Sequence, residues 1–503
     1  MKLFPILGGI HPEYRKELTS EKAIVALPVP KTLYLPLQQH MGAPANTTVD
    51  AGDLVKKGQL LAKAQGAISA ALHAPTSGRI AAITEMTAPH PSGLPVLTIM
   101  LDSDGKDEWA EPMPAIDDPF AASPAEIKAR VAEAGIVGMG GATFPSAVKL
   151  GLGGQHKLEI LLLNGAECEP YLTCDDRVMR EFAAQVVDGA RIMAHALGAP
   201  KVIIAVEDNK PQAVDSLKAE AAKTPNVEVV GVPVQYPMGA ERHLTQAVTG
   251  RETPARKLTA DVGVVVHNVA TARAVHQAVR LGRPLVSRVV TVSGGAVAEP
   301  KNIEVPLGTR VSELLDFCGG ISKEARRIIS GGPMMGQPLP SLDVAVVKGT
   351  SGILALTQGE TNEHASSPCI RCGSCVTYCP CGLVPVEMAS YIRNDKLDLA
   401  AKIGVQDCVS CGSCSYICPS HIPLVHYFNY AKGKIAALDR ERRKNEQTKA
   451  LVEAHNARLE RQAQAKREAA AKAKAAKEAA EAAAAAPQAN QQAQPNSAGG
   501  ANA

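Results

Sequence analysis

The sequence predicts a multidomain α/β protein: a small β domain, an open parallel α/β sheet, a second mixed domain and a short cysteine-rich helical domain. Three observations carry this. Four apolar runs, beginning at Leu158, Val202, Val227 and Val262, are separated by helical patterns, which indicates a parallel sheet covered on both faces. Ahead of them, short apolar runs broken by Gly52, Gly58 and Gly78 read as strands joined by tight turns. Behind them, the pattern C-x2-C-x2-C-x3-C-P is written twice, at Cys369–Pro380 and Cys408–Pro419.

Bulk properties exclude several classes. At 503 residues the chain is long enough for several domains. A net charge of +3 with 3% aromatics offers no basic stripe interleaved with aromatic residues, so no nucleic-acid partner is expected. No apolar run reaches the roughly 18 residues that a transmembrane helix needs. Most of the cysteines lie in one segment and nothing at the N-terminus resembles a signal peptide, which argues against a disulfide framework.

Taken in order, residues 1–30 read as an extended N-terminal arm carrying Gly8-Gly9 and His11-Pro12. Residues 31–110 form the small β domain. Its runs are similar to the barrel-sandwich fold of lipoyl and biotinyl carrier domains, which carry a modified Lys at a hairpin tip. Here the tip, Gln65 to Ala70, has no Lys, so the domain is read as unmodified and structural or partner-binding. Residues 115–284 hold the parallel sheet. Ser123-Pro124-Ala125-Glu126 is a helix start, with Ser as N-cap, Pro at the first position and Glu at the third. Ligands of such sheets bind beyond the carboxyl ends of the strands. Polar or acidic residues gather there: Asn164 to Pro170 after the first run, Tyr236 to Arg242 after the third, His267 to Thr271 after the fourth. A glycine-rich loop from Gly135 leads into a helix and to Lys149, a pattern that brings backbone N–H groups and a positive helix end to a phosphate. The dinucleotide fingerprint G-x-G-x-x-G is not what is written.

Together these stretches resemble the flavin- and NADH-binding subunit of respiratory complex I. That family's G-x-G-G-x-x-F-P loop followed by Lys is matched by Gly138, Gly140, Gly141, Phe144 and Lys149. Its N-x-x-E-x-E-P is matched by Asn164, Glu167, Glu169 and Pro170. Its Y-x-x-G-x-E is matched by Tyr236, Gly239 and Glu241, with Gly250-Arg251 beyond, and its N-V-x-T by Asn268 and Thr271. The resemblance implies a Rossmann-like α/β domain that holds FMN, with NAD(H) as substrate stacked on it. It implies that the Gly138–Lys149 loop and Thr271 take the flavin phosphate, and that Asn164 and Asn268 hold polar edges of the ring. Glu167, Glu169 and Glu241 would shape the nicotinamide side, their charge limiting retention of product. The chain departs from the family at Met139, Ala166 and Ala240, where Arg, Asp and Glu are usual.

Residues 285–357 read as strand, glycine turn, strand and capped helix, similar to the soluble-ligand-binding β-grasp domain that follows the flavin domain in the complex I relative. No chemistry is assigned to it. Residues 362–435 hold the doubled cysteine motif. Three thiolates two residues apart wrap one face of a cubane cluster, and the fourth Cys, turned away by Pro, ligates the other cluster. Cys369, Cys372, Cys375 and Cys418 are therefore assigned to one [4Fe–4S] cluster, and Cys379, Cys408, Cys411 and Cys414 to the second. Paired zinc sites leave the third Cys of each run and the Cys-Pro unexplained. The helical-looking spacer predicts an α-helical two-cluster ferredoxin-type domain. Cys381 stays outside the ligand set, and Cys168, Cys174 and Cys318 read as buried thiols. Residues 436–486, rich in Ala, Lys and Glu, predict a solvated helix whose basic residues could also touch anionic lipid, and 487–503 a disordered tail.

The whole order, over residues 1–435, resembles the RnfC (RsxC) component of the Rnf (Rsx) ion-translocating oxidoreductase complex. The resemblance implies an oxidoreductase and translocase subunit, peripheral on the cytoplasmic side of the cell inner membrane. Electrons would pass between NAD(H) and, indirectly, ferredoxin through other subunits, including an iron–sulfur subunit and integral membrane subunits, coupled to ion translocation. A flavin suits the middle of that path, since nicotinamide gives electrons in pairs and clusters take them singly. A soluble NADH dehydrogenase or hydrogenase diaphorase subunit, and a non-catalytic iron–sulfur scaffold, are the other readings.

Overall fold

The computed structural model describes residues 3–361 and 363–485. It divides into two compact units, one running to Ala431 and one beginning at Lys432.

In the first unit, the arm contributes a two-residue strand, β1 (Val25–Ala26), to a sheet formed much later in the chain. The small β domain follows with β2 (Thr32–Pro36), β3 (Asn46–Thr47), β4 (Leu54–Val55), β5 (Leu60–Lys63), β6 (Leu72–His73), β7 (Gly78–Thr87) and β8 (Pro95–Ser103). They make two small sheets, ordered β2-β8-β7-β4 and β3-β5-β6, the barrel-sandwich expected. Gly78 sits at the start of β7, where a Cβ would lie 1.9 Å from the Asp102 carbonyl oxygen, so only glycine permits that strand contact.

The parallel sheet is next. Helix α1 (Pro124–Glu133) starts with a full capping box between Ser123 and Glu126. After α2 (Ser146–Leu150) come β9 (Ile160–Gly165), α3 (Cys174–Glu181), α4 (Ala183–Leu197), β10 (Lys201–Glu207), α5 (Pro211–Ala221), β11 (Val227–Val232), α6 (Glu241–Thr249), β12 (Val264–Asn268) and α7 (Val269–Arg280). All pairings are parallel, in the order β11-β10-β9-β12. Leu161, Leu162, Leu163, Ile204 and Val265 are fully or almost fully buried, as a sheet covered on both faces requires. One continuous apolar core joins this layer to the barrel-sandwich, with Leu33, Ile80 and Ile99 in the same cluster as Ile127 and Leu163.

The β-grasp domain comprises β13 (Ser287–Ser293), β14 (Lys301–Pro306), α8 (Val311–Phe317), β15 (Ala325–Ser330), β16 (Gln337–Pro338) and β17 (Gly352–Thr357), followed by the short α9 (Gln358–Thr361). Its mixed sheet runs β1-β14-β13-β17-β15-β16, so the N-terminal arm supplies the edge strand. The cysteine-rich domain is helical, with α10 (Ser374–Thr377), α11 (Pro385–Arg393), α12 (Leu397–Lys402), α13 (Ser413–Tyr416) and the start of α14 (Leu424–Ala484), whose Leu424, Phe428 and Ala431 are buried. The second unit is the rest of α14. Every residue from Arg440 to Ala485 is exposed, as expected of a helix without an apolar stripe. The expected disordered tail lies outside the described residues.

Candidate functional site: a flavin-type crevice facing a cysteine-rich domain

The sheet order reverses at β9. From there the chain steps outward through β10 and β11, then returns to place β12 on the other side. Such a switch point opens a crevice at the carboxyl ends of the strands. Asn164 and Asn268, the polar residues at those two ends, are register partners across it. Asn164 Nδ2 donates to the Gly239 carbonyl at 2.8 Å while its Oδ1 accepts from Ala166 N–H at 3.0 Å. Asn268 Oδ1 accepts from Ala270 N–H at 2.8 Å and so caps α7, and its Nδ2 donates to Asp175 at 2.6 Å. The strand ends, the Tyr236–Glu241 turn and the start of α3 are thereby tied together.

The glycine-rich loop closes one wall. Its base is pinned where Gly138 N–H donates to the Phe144 carbonyl at 2.8 Å, and Met139 N–H donates to Thr271 Oγ1 at 2.9 Å. A Cβ on Gly140 would press on Asn268 at 3.3 Å, and Gly141, at φ +104°, faces open space. The N–H groups of Gly140 to Thr143 find no acceptor among the described residues. Lys149 is already engaged: Nζ donates to the Val266 carbonyl at 2.8 Å and pairs with Glu241 at 3.0 Å. Thr259 Oγ1 donates to the other oxygen of Glu241 at 2.6 Å.

The two other acidic residues have different surroundings. Glu167 is buried and caps α3, accepting from Asp175 N–H at 2.8 Å and Asp176 N–H at 3.3 Å. Glu169 accepts from Met334 and Met335 N–H at 3.0 and 2.9 Å, in the β-grasp loop, and burial pushes its carboxyl up to about 7 against those two donors and nearby Lys16. Burial and the adjacent charge of Glu167 raise Asp175 as well.

The cysteines gather in two sets. Burial, then the neighbouring charges of Cys372, Cys418 and Cys369, push the Cys375 thiol up, which puts those four side by side. Cys414 is raised by burial, then by Cys411, Cys408 and Cys379 and last by Cys375 of the other set; Cys379, Cys408, Cys411 and Cys414 line one cavity with Met388, Val425 and Phe428. Cys381 lies against Cys379 in the same cavity. The two sets differ in exposure. Cys369 and Cys372 are exposed, whereas Cys379, Cys411 and Cys414 are buried.

The buried, inner set is fastened to the parallel-sheet domain. The fully buried Tyr236 donates its hydroxyl to the Cys411 carbonyl at 2.7 Å. His243, on α6, bonds the Pro380 carbonyl through Nε2 at 2.7 Å. Asp407, beside Cys408, accepts from Arg256 N–H at 2.8 Å. The arm is wedged into this seam: Gly9 N–H donates to Tyr378 at 3.1 Å, and Ile10 pairs with Tyr236.

Family descriptions match in that same order: an RnfC barrel sandwich hybrid domain over residues 4–106, a Nuo51 FMN-binding domain over 131–277, an SLBB domain over 289–338 and a 4Fe-4S dicluster domain over 368–422. A relative from Rhodobacter capsulatus, described as the C component of an ion-translocating oxidoreductase complex, is 56% identical over 447 residues, covering 89% of this chain and 86% of its own. The chain belongs to the RnfC family of ion-translocating oxidoreductase complexes. Another family member, from Clostridium ljungdahlii, is described as the C component of a proton-translocating ferredoxin:NAD(+) oxidoreductase complex, 47% identical and covered over 95% of its length, against 87% of this chain. One from Citrobacter koseri is 43% identical, with 92% of this chain and 66% of that one aligned. A solved NAD+-reducing [NiFe]-hydrogenase in the H2-reduced state aligns with a TM-score of 0.44 at 18% identity, over 64% of this chain and 63% of that one, too partial a likeness to bear on fold or function.

The residues present fit the groups that this family implies, FMN and two [4Fe–4S] clusters. Free loop N–H groups beside the N-terminus of α7 suit a phosphate. Two buried polar atoms next to this loop and Lys149, Ser146 Oγ and His267 Nε2, have no partner among the described residues. Two sets of four close thiols suit two clusters.

Sequence reasoning missed the residues that lock the crevice from a distance. Lys16 donates to three carbonyls of the acidic loop, Glu167 and Glu169 and Leu172, at 2.8, 2.9 and 2.5 Å. Asp175, Arg288, His243 and Lys348 likewise act across long separations, and no local motif marks them. The buried thiols expected at Cys168, Cys174 and Cys318 are found as such.

Proposed function

We propose that this chain is the NAD(H)-reacting member of an ion-translocating oxidoreductase complex, and that electrons cross it between the flavin crevice, the inner cysteine set and the outer set, in that order. The observation that carries this is the seam described above, in which Tyr236 and His243 bond the backbone at Cys411 and Pro380.

Gly138, Gly140, Gly141 and Thr271 would hold the flavin phosphate with backbone N–H groups and a hydroxyl, with Phe144 closing the loop base. Asn164 and Asn268 would meet polar edges of the ring. A flavin there takes electrons in pairs from nicotinamide and releases them singly, which is what clusters require. Lys149 acts through Glu241, holding that carboxylate at the rim of the site with Thr259. Glu241 then limits retention of nicotinamide product by its charge. Glu167 and Glu169 shape the same side indirectly: each fixes backbone N–H groups of a neighbouring element. Tyr236 and Gly239 form the floor toward the inner set. Cys379, Cys408, Cys411 and Cys414 would ligate the inner [4Fe–4S] cluster, the more buried of the two, and Cys369, Cys372, Cys375 and Cys418 the outer one, more open to a partner protein of the complex.

The partners would be the complex's own iron–sulfur and integral membrane subunits, with ferredoxin reached through them. Membership of a complex that moves ions across a membrane supports a peripheral place on the cytoplasmic face of the inner membrane; among the described residues no helix is long and apolar enough to cross one. The order of carriers is tested by electron paramagnetic resonance on NADH-treated variants. With Cys372→Ala the inner cluster still reduces. With Cys411→Ala the outer cluster stays oxidised. An outer cluster that reduces normally in Cys411→Ala contradicts the order.

A further inference from the structure

Two buried cations of the β-grasp domain stand behind the glycine-rich loop. Arg288, on β13, donates from Nη2 to the Met139 carbonyl at 2.7 Å and from Nη1 to the Lys348 carbonyl. Lys348 donates from Nζ to the Gly135 and Ala71 carbonyls, both at 2.6 Å, and its N–H reaches Gln39 at 3.1 Å. Both side chains are almost wholly buried, at 4% and 1% exposure. These bonds all end on neutral oxygens, and Arg288 Nε has no partner among the described residues. Burial lowers the pKa of both groups, Arg288 from its ordinary value and Lys348 to about 7, so each keeps its charge only at a cost in free energy unless a negative charge lies close by. Cys174 and Asp175 favour the Arg288 charge but do not outweigh its burial, and both are themselves raised. The anionic end of a cofactor in the loop would supply the missing charge.

The geometry of a peptide unit gives these cations a task. In a trans peptide the C=O and the following N–H point in opposite directions. Arg288, by drawing the Met139 carbonyl toward itself, turns the Gly140 N–H the other way, away from the guanidinium and without an acceptor among the described residues. Lys348 anchors the same loop at its start, at Gly135, and ties it to the barrel-sandwich at Ala71. A Cβ on Gly135 would lie 2.2 Å from the Ala71 oxygen, so the two domains close on the loop with no slack.

We propose that Arg288 and Lys348 are positioning residues of the flavin site, which hold the glycine-rich loop from behind and aim its N–H groups at the anionic end of the bound flavin. This rests on the flavin-site reading above. It assigns work to two domains that carry no cofactor chemistry of their own: the β-grasp domain supplies the cations and the barrel-sandwich supplies their backstop.

The test uses the full chain with its clusters, stripped of flavin and titrated with FMN while flavin fluorescence and visible circular dichroism are followed. Arg288→Gln is expected to weaken FMN binding by roughly tenfold or more, the worth of one charged hydrogen bond, and Arg288→Lys to recover part of it. The dichroism of the residual bound flavin changes too, since the loop no longer holds one orientation. Lys348→Met gives a loss in the same direction and carries the test with Arg288→Lys if Arg288→Gln does not fold. Affinities within about twofold of wild type in Lys348→Met and in the Arg288 variants that fold, with unaltered dichroism, overturn the proposal. A wild-type chain that binds no FMN overturns the flavin-site reading itself, and that control separates the two failures.

Discussion

Tyr236 joins two domains through one hydroxyl. Its ring is fully buried beside Ile10, Cys168 and Cys411, and its O–H satisfies a carbonyl belonging to a cluster-binding loop. Tyr236→Phe keeps the packing and strands that carbonyl, so a loss of about 1–3 kcal/mol is expected in denaturant unfolding of the cluster-loaded chain, with slower passage of electrons to the inner cluster in stopped-flow. An unchanged unfolding midpoint would show that water replaces the hydroxyl. Glu169 makes a prediction in pH. Its carboxyl is raised from 4.5 to about 7, so the folded chain holds a proton that the unfolded chain has released. Its contribution is present below about pH 4.5 and lost as pH rises through 7, so wild type should lose roughly 1–3 kcal/mol relative to Glu169→Gln between pH 5 and 8, read from paired melts. Parallel curves would count against it. At this scale legibility follows chain distance. Asn164 and Asn268 could be read because they end apolar runs that become neighbouring strands. Lys16 could not, since its three carbonyl partners lie more than 150 residues away.

Among the elements, the N-terminal segment was read as an extended arm, with no task given to its glycines. In the fold, Gly8 at φ +62° and Gly9 at φ +84° let the chain slip between the Gln235–Tyr236 segment and the Cys379 backbone. A Cβ at Gly8 would stand 2.6 Å from the Cys379 carbonyl. Gly8→Ala should therefore push the arm off the seam or shift the cluster loop, and the inner cluster should bleach faster in air, followed by visible absorbance. Bleaching at the wild-type rate would mean the arm only covers the seam. By contrast, the parallel sheet, the α1 capping box and the helical spacer of the cysteine domain were all legible, because each is specified by residues within a few positions of one another. The second edge of the β-grasp sheet was not: β1 joins β14 across more than two hundred residues, and a two-residue strand leaves no periodic trace.

Across the whole first unit, the domains divide the work. The parallel sheet opens the crevice, the barrel-sandwich and β-grasp domains brace its glycine loop, and the cysteine domain holds a more buried and a more exposed set of cysteines, the more buried one tied to the sheet domain. The doubled cysteine motif proposes the two sets from spacing alone, whereas the bonds that tie one of them to the parallel sheet come from side chains such as His243 and Tyr236 that the motif does not contain. The most direct measurement is anaerobic stopped-flow absorbance of the FMN- and cluster-loaded full chain mixed with NADH. The account predicts that flavin absorbance falls first, and that the broad cluster absorbance then falls in two steps. Clusters that bleach without a preceding flavin phase, or a flavin that reduces while both clusters stay oxidised, would contradict it.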